Sequence, residues 1–231
     1  MNRSRCLGLV GGLGVGATIH YYRELAKAHE EQDRTLNIVI AHAETARVFE
    51  LVQAGDRNGL AEYLSAFIRR LQAAGAEVAA IPAVTPHFCV REMTTVSPLP
   101  VINIFDPLVQ ELATRAVRRV AVFGTHFVMD SSLFGLIGEV QIIQARSEEA
   151  AYIHQTYVKL AQAGQGTQEQ FEKLTALAYT LRQRDGAEAI ILAGTDLALL
   201  FNKDNTDFPH IDCAALHIKA IMNGLLAEAS V

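Results

Sequence analysis

The chain has 231 residues, half of them hydrophobic, and 20 Lys and Arg against 25 Asp and Glu give a formal net charge of −5. That is enough apolar material for one large domain or two small ones, and the scattered acids, with no basic stripe, exclude nucleic acid as an expected partner. No stretch reaches the ~18 uninterrupted apolar residues of a membrane span, and the glycine-broken N-terminus has no signal-peptide core, so a soluble cytoplasmic protein is expected, away from membranes.

Short apolar runs alternate with longer amphipathic stretches, the pattern of an α/β fold built from βαβ units around covered parallel sheets. Strands are predicted at 6–10 (CLGLV), 36–41 (LNIVIA), 77–82 (EVAAIP), 100–103 (PVIN), 119–123 (RVAVF), 139–144 (EVQIIQ) and 188–193 (EAIILA). Helices are predicted near 17–30, 56–74, 106–116, 149–163, 167–184 and 212–228, with Gly75 and Gly186 at helix C-caps. The first strand runs into a glycine turn in which Gly12, Gly14 and Ala17 fit the relaxed G-x-G-x-x-[G/A] pattern, where backbone approaches an anion at a helix N-terminus. A dinucleotide would also need an acid at the end of the second strand, for which Glu44 can serve. A carboxylate needs only the backbone N–H groups.

The two halves of the chain repeat each other. "YLSAFIRRLQAAGAEVAAIPAVT" (63–85) parallels "LTALAYTLRQRDGAEAIILAGT" (174–195), and "RCLGLVGG" (5–12) parallels "RRVAVFGT" (118–125). We therefore expect two similar βα halves related by pseudo-twofold symmetry, 1–103 with the C-terminal segment 209–231 and 104–208. Ligands of open α/β sheets bind outside the carboxyl ends of the strands, which places the expected ligand cleft between the halves. A compact ligand with anionic groups suits such a cleft better than a dinucleotide.

Four segments in order resemble the aspartate/glutamate racemase superfamily. "GGLGVGAT" (11–18) is similar to its opening motif, with Val15 where proline is usual; "IPAVTPH" (81–87) and "ILAGTDL" (191–197) fall on its two catalytic loops; "PHIDCAALHIKA" (209–220) resembles its closing P-x-x-D-T-A-x-x-H segment. The resemblance implies the fold, a small carboxylate or amino-acid ligand, no cofactor, and a homodimer, and nothing in the residues suggests a metal site. In that family two cysteines, one per loop, move a proton at the substrate α-carbon. Here Ala83 and Gly194 hold those positions, Val84 replaces an asparagine, Asp196 a glutamate, Val128 a threonine and Cys213 the closing threonine. Two-thiol racemisation is therefore not expected. The expectation is a cofactor-independent isomerase or lyase using other acid–base groups, the alternative a catalytically inactive protein of this fold that binds a small carboxylate.

The candidate catalytic residues are His87, Asp196, Thr85 and Thr195. The threonine hydroxyls either hold a carboxylate or cap the next helix. His87 is either a proton-exchanging imidazole or a structural histidine, and Asp196 a base or a helix cap. Candidate substrate contacts are Gly12 through its backbone, Ala83, Val84 and Gly194 on the two loops, Thr125 and His126 on the second half's glycine turn, and Arg47, which either pairs with a distal carboxylate or sits in solvent. Cys6, Cys89 and Cys213 are odd in number without C-x-x-C spacing, which argues against a disulfide framework or zinc site. Cys89 and Cys213 are either buried small hydrophobes or reactive thiols.

Overall fold

The first apolar run becomes strand β1 (Leu7–Gly11), buried at every position, as expected of a central strand in an all-parallel sheet. The computed structural model describes residues 5–226. It divides into two units, one running to Asn103 and resuming at His217, the other spanning Ile104–Leu216. Among the described residues no helix is long and apolar enough to cross a membrane.

In the first unit β1 is followed by α1 (Val15–Glu30), β2 (Ile38–His42), α2 (Thr45–Gln53), α3 (Arg57–Ala73), β3 (Val78–Ala80), α4 (Val90–Val96) and β4 (Val101–Ile102). The sheet order is β2-β1-β3-β4, all parallel, with Leu7 facing Ile38 on one side and Val78 on the other. Leu7, Leu9, Leu25, Leu60, Leu64 and Ile68 are fully buried, each worth roughly 1.5–3 kcal/mol of transfer free energy.

The second unit contains α5 (Phe105–Thr114), β5 (Arg119–Phe123), α6 (His126–Asp130), β6 (Gln141–Ile142), α7 (Ser147–Ala163), α8 (Gln168–Asp185), β7 (Ala189–Leu192) and β8 (His210–Asp212), and α9 (Cys213–Leu226) begins in it. Its order, β6-β5-β7-β8, repeats that of the first sheet, again all parallel. The repeated Gly-Ala-Glu has a structural role in both units. Gly75 and Gly186 follow α3 and α8 with φ of 95° and 74°, the left-handed turn that glycine adopts without a Cβ clash. Glu77 then accepts the amide N–H of Cys6, just before β1, and Glu188 those of Arg118 and Arg119 at the start of β5.

Four elements lie outside the ranges expected from periodicity. Helices α2, α4 and α6 are each too short to establish a helical period. Strand β8, the three residues directly after Pro209, pairs with β7, so 209–216 goes with the second unit rather than the first. Its strand character comes from that pairing, which no local pattern announces.

Candidate functional site

Beyond β3 the segment IPAVTPH closes into a 3-10 turn, Thr85–Cys89, with Pro86 in its first residues, where a missing N–H costs nothing. His87 is wholly buried, and its Nδ1 lies 2.8 Å from the Ala83 carbonyl oxygen. A carbonyl only accepts, so Nδ1 carries the proton and Nε2 the lone pair. Burial lowers the His87 pKa to about 4 against the raising effect of the Ala83 and Val84 backbone, so the ring is neutral at pH 7. Thr85, Ala83 and Val84 are buried beside it.

His87 faces the ring of His217 edge-on, 6.1 Å between centroids. His217 donates from Nε2 to the Ile102 carbonyl at 2.8 Å and accepts at Nδ1 from the Tyr21 hydroxyl at 3.1 Å. Burial, and then the neighbouring His87, lower its pKa to about 3. Both nitrogens of His217 are thus committed to the fold.

The turn after β1 packs closely on itself at Gly12. The Gly12 amide donates to Thr18 Oγ1 at 3.1 Å, and its carbonyl accepts from Thr45 Oγ1 at 2.9 Å. Its φ is 87°, and a Cβ there would lie 2.4 Å from the Ala43 carbonyl oxygen. Glycine is required by close approach of the chain to itself. Arg47, on α2, pairs with Glu50 at 2.9 Å with both side chains more than half exposed, an arrangement of little energetic weight.

In the second unit the segment after β7 forms the equivalent 3-10 turn, Thr195–Leu199, with Thr195 and Asp196 fully buried. The Tyr157 phenol, from α7, donates to Asp196 Oδ2 at 3.2 Å, and the Thr195 side chain hydrogen-bonds the same phenol. Burial first, then the Asp196 charge, raises the Tyr157 pKa well above its ordinary value. The ring explains Gly194: a Cβ at that position would lie 2.3 Å from Tyr157 Cε2. The backbone there is extended, φ −137°, so glycine is needed for space and not for conformation.

At the end of β5, Thr125 is buried and caps α6 by accepting the Val128 N–H at 3.3 Å. His126 is exposed, and its N–H donates to His154 Nδ1 at 3.3 Å. Nε2 of His154 consequently holds the proton and donates to His126 Nδ1, also 3.3 Å away. Burial, then His126, keeps the His154 pKa below its ordinary value. His154 and Tyr157 lie three residues apart on α7, the spacing that shares a helix face. Neither residue stands in a recognisable motif, nor does Tyr21; the one signal in the sequence is polar aromatics at helical spacing in "YIHQTY" (152–157).

The thiols stand apart from this chemistry. Cys89 is buried with its Sγ donating to the Pro86 carbonyl, its pKa pushed up to about 12 by burial and then by Glu92. Cys213 is pushed higher still by burial and Asp212. Both remain protonated, the unreactive form. Asp212 caps α9, accepting the N–H groups of Ala214 and Ala215. Among the described residues no group of three or more His, Cys, Asp or Glu is arranged to hold a metal ion.

The fold is shared with proteins of known structure. A putative Asp/Glu racemase from Yersinia pestis is 22% identical, with 96% of this chain and 99% of that one covered and a TM-score of 0.79. An aspartate racemase homologue from Pyrococcus horikoshii is 21% identical over the same shares, with a TM-score of 0.78. A doubly substituted arylmalonate decarboxylase also matches, at 14% identity, 98% and 94% coverage and a TM-score of 0.58. The family model described as Asp/Glu/Hydantoin racemase matches residues 10–221, nearly the whole chain, and the protein belongs to that family.

Proposed function

We propose that the protein is a cofactor-independent isomerase or lyase acting on a small carboxylate or amino acid, with His87, Asp196, Thr85 and Thr195 in place of catalytic thiols. Family membership supports the reaction class. The observation that carries the residue assignment is the tautomer of His87: with Nδ1–H given to the Ala83 carbonyl, Nε2 holds a lone pair on an imidazole kept neutral by burial. Such a nitrogen can take a proton from the carbon next to a carboxylate. The C–H bond breaks, its electron pair passes into the carboxylate, and the proton ends on Nε2. Returning the proton reverses the step. Loss of carbon dioxide from a malonate-like acid would leave the same electron-rich carbon to be protonated, which is why a lyase belongs to the same reading.

Thr85 and Thr195 open equivalent turns at the ends of equivalent strands, and their hydroxyls suit a carboxylate whose charge grows in the transition state. Thr125, His126, Ala83, Val84 and Gly194 are assigned to the substrate surroundings, and Arg47 to a distal carboxylate in exchange for its Glu50 partner. A homodimer, on the family resemblance, and a cytoplasmic location, on the sequence reading of the apolar stretches, complete the proposal, and light scattering of the purified protein tests the oligomer.

The test is proton NMR in D2O with amino acids and small mono- and dicarboxylates, both aspartate enantiomers included. Loss of the α-proton signal is expected with at least one of them, and His87→Gln abolishes it for the enantiomer that His87 deprotonates. If all substrates survive intact while a carboxylate still raises the melting temperature, the protein is a receptor. The absence of a cysteine from positions 83 and 194 favours that second reading.

A further inference from the structure

We infer that Tyr157 is a positioning residue for Asp196: its phenol holds the carboxylate in place as the acid–base group of the second unit, while its ring fills the space a side chain at position 194 would take. The inference rests on the acid–base reading above. Its grounds are geometric. Helix α7 brings the phenol to Asp196 Oδ2 from 39 residues away in sequence, at 3.2 Å, and neither side chain is exposed beyond 8%. A buried carboxylate is costly unless hydrogen-bonded, and a phenol O–H to an ionised oxygen is among the stronger bonds available.

Gly194 makes the arrangement exclusive. Any Cβ there meets Cε2, Cδ2 and Cζ of the ring at 2.3, 2.6 and 3.0 Å, so this ring position and a side chain at 194 cannot coexist. The chain has given that space to an aromatic ring whose hydroxyl is tied to the adjoining Thr195 and Asp196. With the enantiomer that His87 does not deprotonate, the substrate C–H bond breaks, its proton goes to an Asp196 oxygen, and the electron pair goes into the substrate carboxylate. The Tyr157 O–H bond stays intact. Burial and the Asp196 charge keep the phenol protonated, so it remains a donor throughout.

Tyr157→Phe keeps the ring and removes the hydroxyl. In the D2O exchange assay we expect its rate to fall about tenfold to a hundredfold, the scale of a misplaced catalytic group. The acid limb of its pH–rate profile should move to higher pH, because a carboxylate that loses a donor holds its proton more tightly. A merely structural tyrosine would lower the melting temperature and leave that limb in place. A profile identical to wild type overturns the positioning role while the acid–base reading stands; a wild type that exchanges nothing overturns both. A second measurement needs no turnover: with 13Cζ-labelled tyrosine, Tyr157 should ionise at lower pH in Asp196→Asn than in wild type. An unchanged titration overturns the pairing.

Discussion

His87 meets the ring of His217 edge to face with 6.1 Å between centroids, and neither ring is reached by solvent. One is bonded to the backbone of its own turn through Nδ1, the other to a strand carbonyl and a tyrosine through both nitrogens. The first unit thus stores two neutral imidazoles side by side.

This pair makes the stability of the first unit sensitive to acid. In the unfolded chain His87 takes its proton near pH 6.5, and in the folded chain near 4. The folded pKa is the lower one, so the unfolded state binds more protons within that window. Stability is complete above pH 6.5 and is lost as pH falls toward 4, by on the order of 3 kcal/mol for this ring. His217, lowered to about 3, adds a loss of its own over the same window and extends it further into acid. Urea denaturation between pH 7.5 and 4 should show the fall, and His87→Gln should make it shallower while the His217 share remains.

The Tyr21 hydroxyl is the donor to His217 Nδ1. Tyr21→Phe leaves that buried acceptor without its partner and should cost ~1–3 kcal/mol, read as a lower urea midpoint with unchanged m-value. An unaltered midpoint would mean that the bond contributes nothing in solution.

Space at position 194 can be tested by stability alone. Gly194→Ala places a methyl 2.3 Å from the Tyr157 ring and should cost roughly 1–3 kcal/mol as overpacking. In a Tyr157→Leu background the added cost of the same change should shrink. Equal costs in the two backgrounds would show that the residues do not compete.

Gly12 and Gly164 separate conformation from close approach. Both have positive φ, 87° and 68°, but a Cβ at Gly12 meets the Ala43 carbonyl oxygen at 2.4 Å while one at Gly164 meets nothing within 4 Å. Gly164→Ala should cost about 1 kcal/mol from the left-handed backbone, and Gly12→Ala clearly more, since backbone must move. Comparable melting temperatures for the two variants would contradict the crowding at Gly12.

Much of this protein is legible in the order of its residues. The all-apolar runs at β1, β5 and β7, the glycines closing α3 and α8, and the Gly-Ala-Glu repeat specify two parallel βα halves, because propensity, capping and burial are local properties that spacing displays. The same spacing brought Thr85 and Thr195 to equivalent turns and marked His87 and Asp196 as the titratable groups beside them. The fold alone decided what those groups touch. Strand β8 exists because β7 offers it a ladder, the Gly12 amide is consumed by Thr18, and the space left by Gly194 is taken by a tyrosine from α7. Hydrogen bonds and excluded volume between residues distant in sequence set the state of each candidate base, and such pairings form only when the chain has closed on itself.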